Sequence, residues 1–242
     1  MSRITQAFVG GKAFMPFITG GDPDIETTEQ LLYALVEAGA DLIKIGVPFS
    51  DPVAEGPAIE AANERALAKG CTVDDLFKLV ARVRRGINIP LLFRSYYNPI
   101  FAYGVEKFTA NCAACGVDGL IVPDLPFEER DELLGPCRAQ GLALISLLAP
   151  TGEERAVRIA QNAKGFLYCV SPCGAVAERT LGLVRRVSEI PCAMDVEQAQ
   201  GSACDGVIVG SAIVGLVGEH GRACVEPVAA FARGVKQSIN SN

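Results

Sequence analysis

The sequence predicts a (β/α)8 barrel, folded as a single domain over residues 1–242. Three observations predict it. Eight short apolar runs recur along the chain, amphipathic segments fill the gaps between them, and one turn signature precedes three of the runs. The runs are Ala13–Ile18, Asp41–Gly46, Ile89–Phe93, Gly119–Val122, Leu142–Leu148, Gly165–Val170, Ile190–Met194 and Gly206–Val209. They are continuous rather than alternating, which suits strands covered on both faces.

The helical signals fall between these strands. Asp22-Pro23 offers an N-cap and a proline at the first helical position, ahead of Leu31, Leu32, Leu35 and Val36. Thr72 heads a segment carrying Leu76, Leu79, Val80 and Val83 at helical spacing. Val105–Cys115 reads as a helix, and Thr151-Gly-Glu-Glu154 has the spacing of a capping box. The turn signature is Ala38-Gly-Ala-Asp41 before Leu-Ile-Lys-Ile, Cys115-Gly-Val-Asp118 before Gly-Leu-Ile-Val, and Ala203-Cys-Asp205 before Gly-Val-Ile-Val. In the first two, a glycine after the helix permits a left-handed cap, and the chain then drops into a strand. Eight such units in 242 residues match a barrel. A doubly wound open sheet is the alternative, but it commonly has fewer strands, and no Gly-x-Gly-x-x-Gly follows the first one.

Composition narrows the function classes. The net charge is −6 and Lys or Arg never occur in runs longer than two, so nucleic acid is a poor partner, because phosphate neutralisation needs clustered cations. No apolar stretch reaches the ~18 residues of a membrane span. The N-terminus does not read as a signal peptide, since Lys12 and two glycines interrupt it. Nine cysteines at irregular spacing do not form a disulfide framework, and a reduced, cytoplasmic protein is expected. Cys112 and Cys115 have metal-pair spacing, but no second pair or histidine completes a zinc set, so no metal is expected. The single histidine, His220, reads as a loop residue, which excludes any triad built on a central histidine.

A barrel of this type carries its active site at the C-terminal strand ends. That rule points to Phe17 and Asp22, to Lys44 and the loop to Pro57, to Arg94–Asn98, to Asp124, to Tyr168–Gly174, and to Gly210-Ser211. Gly210-Ser211 opens a helical segment, and free N–H groups beside a glycine and a hydroxyl suit an anion. A plain strand–helix turn would read the same way. The loop Gly46–Pro57 carries two carboxylates and three prolines, a density that suits an ordered functional loop.

Five segments together resemble the tryptophan synthase α chain family. They are Pro16–Pro23, Gly46–Pro57, Tyr97-Asn-Pro-Ile-Phe101, Val122-Pro-Asp-Leu-Pro126 and Gly206–Val214. The resemblance runs in register over nearly the whole chain. It implies a (β/α)8 barrel that cleaves indole-3-glycerol phosphate to indole and glyceraldehyde 3-phosphate without a cofactor of its own. It also implies a phosphorylated small-molecule substrate and a β subunit, carrying pyridoxal phosphate, that consumes the indole. By the same resemblance, Phe17, Tyr96, Asp124 and Tyr168 match substrate-pocket or neighbouring positions, and Gly210 and Ser211 match the phosphate motif.

The departures fall at the chemistry. Lys44 stands where the family has its catalytic glutamate, and Glu55 aligns with an aspartate that holds the indole N–H. Gly174-Ala-Val-Ala177 replaces the family's Gly-Val-Thr-Gly lid, and the segment after Met194 lacks a Gly-Phe-Gly phosphate element. A lysine has a reference pKa of about 10.4 and is a cation unless burial lowers that value; as a cation it gives a proton but does not readily take one back. Lys44 and Glu55 are expected to converge and to be able to pair as ions. Three readings follow: a working α chain with an altered acid–base pair, a barrel lyase of changed chemistry that uses Lys44 as a Schiff-base amine, and a non-catalytic paralogue that binds a phosphorylated ligand or a β-type subunit.

Overall fold

The computed structural model describes residues 1–150, 152–170, 175–199 and 203–241. Eight parallel strands close into a barrel in sequence order. They are β1 (Ala13–Thr19), β2 (Ile43–Gly46), β3 (Leu91–Arg94), β4 (Gly119–Ile121), β5 (Ala143–Leu148), β6 (Leu167–Cys169), β7 (Cys192–Asp195) and β8 (Gly206–Val209). β8 pairs back onto β1, with Ala13 opposite Gly206 and Pro16 opposite Val209, so the sheet has no open edge. Each strand lies within two residues of its sequence expectation.

The two faces of the sheet separate by the period of two along each strand. Ala13, Met15, Leu42, Leu92, Ile121, Ile145, Tyr168, Ala193 and Ile208 pack together inside the barrel. The opposite parity, with Phe14, Ile18, Ile43, Ile45 and Phe93, packs outward against the helices in one continuous layer. The N-terminal end of the barrel is stoppered by the short helix Arg3–Gln6, whose Ile4 joins the interior cluster, and by Phe8 packed 5.7 Å from the Phe166 ring.

Helix starts show why one sequence reading changed and another held. Asp24, not Asp22, caps the helix Ile25–Glu37, accepting the Thr27 N–H at 2.8 Å. Asp22 is unavailable because Arg65 takes both of its oxygens at 2.8 Å. Thr72 caps Val73–Val83 in a full capping box with Asp75. The Thr151 reading lies outside the described residues, and Gly152 precedes the helix Glu153–Asn162. Val105–Cys115 is a helix as expected, ending on Gly116 at φ 95°, where a side chain would be strained. His220 is the exposed last residue of the helix Ser211–His220 rather than a loop residue. No described helix is long and apolar enough to cross a membrane.

Candidate active site

Counting inward-facing positions by twos predicts which side chains reach the mouth. From Met15, Leu42, Leu92 and Ala193 the next inward residues are Phe17, Lys44, Arg94 and Asp195, joined by Tyr168 of β6. All five line one lobe of a cleft, a cavity of about 250 Å³ that also contains Glu55, Gly210 and Ser211. A second lobe of about 390 Å³ shares Ala54, Arg94, Tyr168 and Asp195 with the first. The mouth is thus one cleft with two connected chambers.

Lys44 is 2% exposed. Its Nζ lies 4.8 Å from the Tyr168 ring centroid and 5.6 Å from that of Phe17. Among the described residues no carboxylate comes within 4.0 Å of it. Burial pulls its pKa down from 10.5 to about 7, with Asp195 opposing and the Arg94 cation assisting. The amine therefore exists in both protonation states near neutral pH. That is the outcome the sequence reading allowed if the residue were buried, because desolvation penalises the charged form.

Glu55 does not pair with Lys44. It forms an ion pair with Arg94, and Tyr96 donates to it at 3.3 Å. The Tyr96 hydroxyl also accepts the Ala54 N–H at 3.0 Å, tying the loop after β2 to the barrel. Arg94 reaches Glu55 because it ends β3 beside that loop, while Lys44 sits lower on β2, level with Phe17 and Leu92. Tyr96 is buried behind the loop and lines neither chamber, so its part is to hold Glu55 and Ala54.

Across the cleft, Tyr168 Oη donates to the Asp195 carboxylate, lying 2.9 and 3.0 Å from its two oxygens. Burial and that carboxylate push the Tyr168 phenol well above its ordinary range, so it stays a proton donor. Asp195 was not among the residues picked from the sequence, where its segment reads as a shortened phosphate loop. β7 ends on it and passes directly into the helix Val196–Ala199.

Asp124 is not in the cleft. Both of its oxygens accept the Tyr97 N–H, at 3.0 and 3.1 Å, at the start of the helix Tyr97–Tyr103. A carboxylate there meets the unpaired N–H groups of the first turn. Gly210 caps the helix that Ser211 opens, and its backbone lies near Phe17, which a Cβ would approach to 3.7 Å. Of the lid segment, Gly174 lies outside the described residues, while Ala175–Ala177 begin the helix Ala175–Val187 with Ala177 buried. No group of three or more metal-ligating side chains occurs among the described residues.

The model of the family described as tryptophan synthase alpha chain matches residues 5–240. This chain belongs to that family. The tryptophan synthase alpha chain of Caldanaerobacter subterraneus is 44% identical over 235 residues, covering 88% of this chain and 90% of that one. The protein of the same name from Geobacter sp. strain M21 is 40% identical and covers 99% and 98%. Among solved structures, the tryptophan synthase subunit alpha of Legionella pneumophila superposes with a TM-score of 0.92 at 34% identity over the whole of both chains. A tryptophan synthase complex from Pyrococcus furiosus contains a chain that matches with a TM-score of 0.85 at 35% identity, covering 92% of this chain and 96% of that one.

Proposed function

We propose that the cleft is a carbon–carbon lyase site of the tryptophan synthase alpha type, in which the Lys44 amine does the acid–base work of the family's glutamate. The single observation that supports this most is the Lys44 amine buried beside the Phe17 and Tyr168 rings and facing a substrate-sized chamber, where burial pulls its pKa down to about 7. A general acid–base group works best when its pKa lies near the operating pH. As an ammonium, Lys44 protonates the ring carbon of indole-3-glycerol phosphate at the bond to be broken. As an amine, it takes the proton from the side-chain hydroxyl as that carbon becomes an aldehyde. Atoms balance, since one proton enters the indole carbon and one leaves the hydroxyl as the bond breaks. Ser211, Gly210 and the start of the helix Ser211–His220 are the proposed phosphate subsite, where unpaired N–H groups favour an anion.

A silent site rested on a Lys44–Glu55 ion pair, and Glu55 pairs with Arg94 instead. The Schiff-base reading keeps one supporting observation, the Arg94 cation that helps lower the Lys44 pKa. A β-type partner is supported by the exposure of Phe101 and Val53, 65% and 79%, on the segments after β3 and β2. Pro48, Asp51 and Asn98 belong to the same segments. Eight described cysteines are free thiols, which suits the reducing cytoplasm.

The test is steady-state release of indole from indole-3-glycerol phosphate, with and without the β subunit of the same source. The expected result is turnover that falls at least a hundredfold in Lys44→Met, about 2.7 kcal/mol of transition-state stabilisation. No indole from the unmodified protein, together with borohydride trapping of a carbonyl substrate on Lys44, would favour the Schiff-base reading.

A further inference from the structure

One side chain touches two of the charges in the smaller chamber. The Lys44 Nζ lies 4.8 Å from the centroid of the Tyr168 ring. The Tyr168 hydroxyl donates to Asp195, 2.9 and 3.0 Å from its two oxygens. Tyr168 therefore contacts both an amine on β2 and a carboxylate at the end of β7. Lys44 and Asp195 do not come within 4.0 Å of each other, so no direct ion pair joins them.

The titratable groups that line this chamber with Lys44 are Glu55, Arg94, Tyr168 and Asp195. β1 and β8 contribute Phe17, Ile208 and Val209, which carry no charge. Arg130 and Arg155 line only the larger chamber. Glu55 and Arg94 are paired with each other, and the Tyr168 phenol stays protonated. Asp195 is then the one carboxylate lining the chamber, among the described residues, that has no cation within 4.0 Å.

Lys44 has to hold a proton before it can give one to the ring carbon. Burial and the Arg94 cation both act to strip that proton, and Asp195 acts to retain it. A carboxylate in direct contact would overshoot, because a close opposite charge favours the charged form and would fix the lysine as a cation. Tyr168 opposes that contact, since its hydroxyl engages the Asp195 oxygens while its ring packs beside the amine.

We propose that Asp195 is the positioning residue that keeps Lys44 supplied with its proton, and that Tyr168 holds the two charges apart so that the proton can still be released. The proposal deepens the lyase reading and rests on it for the use to which the proton is put.

The test is an NMR titration of the Lys44 side chain in the intact, isotope-labelled protein, repeated in Asp195→Asn and Tyr168→Phe. Asparagine still offers an oxygen to the Tyr168 hydroxyl, so the first variant removes the charge and keeps the hydrogen bond. Its Lys44 midpoint should fall by about half a pH unit or more. Phenylalanine keeps a ring beside Lys44 and frees the carboxylate, so the second variant should raise the midpoint. The alkaline limb of kcat/KM for indole release should move with the midpoint, to lower pH in Asp195→Asn and to higher pH in Tyr168→Phe, because the ring carbon is protonated by the ammonium. A merely structural role would leave the midpoint in place or move it the same way in both variants. An unmoved or raised midpoint in Asp195→Asn would overturn the proposal, as would an unmoved or lowered one in Tyr168→Phe. The midpoints are read without turnover, so absence of indole release from the unmodified protein counts against the lyase reading alone.

Discussion

At the scale of single residues, the chemistry of Lys44 follows from where its strand ends. One position further along β2, at Ile45, the side chain faces the outer helices, and one full period further, at Gly46, a Cβ would run into the Phe17 ring. It sits instead in the layer of Phe17 and Tyr168, 2% exposed and with two aromatic faces beside the amine. The cost of that burial is a stability effect with a definite sign. The folded state releases the Lys44 proton near pH 7, the unfolded chain near 10.5, so between those values the unfolded state binds more protons. Stability from this group therefore rises as pH increases from about 7 to 10.5 and is lowest at or below pH 7. Lys44→Met should be more stable than the natural protein by on the order of 4 kcal/mol at pH 6, and the gap should close steadily toward pH 10. Denaturant unfolding at several pH values reads this directly. A gap independent of pH would mean the amine is charged in the folded state. The nature of Lys44 was legible in the sequence, but its partner was not. Two oppositely charged residues were expected to meet, and Arg94, one strand over and at the mouth, reaches Glu55 first.

At the scale of elements, the strand pattern carried more of the site than the motifs did. Period-two counting along β7 from Ala193 marks Asp195 as an inward residue, yet a reading centred on a missing glycine segment passed over it. Arg130 had no comparable signal. It lies in the turn before the helix Asp131–Ala139 and enters the cleft only because Phe127 and Ser146 receive it. Asp124 shows the reverse case, a carboxylate at a strand end that is spent on a helix. Asp124→Ala should lower stability by about 1 kcal/mol, the usual worth of a helix N-terminal side-chain cap, while glycerol phosphate binding stays unchanged. Parallel thermal melts and titrations of this variant check both halves. A weakened ligand with unchanged stability would return Asp124 to the binding site.

At the scale of the whole molecule, a closed barrel brings residues from distant segments of the chain to one mouth. Phe17, Lys44, Glu55, Arg94, Tyr168, Asp195 and Ser211 come from five strands and two adjoining segments, and they share one chamber only because β8 closes on β1. The closed barrel itself was legible from the eight apolar runs and the recurring turn. The division of the mouth into two connected chambers was not, because it depends on which side chains face the cleft and which are held by partners. The acid–base role proposed for Lys44 requires that a substantial fraction of it be neutral at physiological pH. The direct measurement is an NMR titration of its side-chain resonance in isotope-labelled protein, assigned with Lys44→Met. The account predicts a midpoint near 7, shifted upward when Arg94 is replaced by methionine. A midpoint close to the free-lysine value of about 10.4 would contradict it.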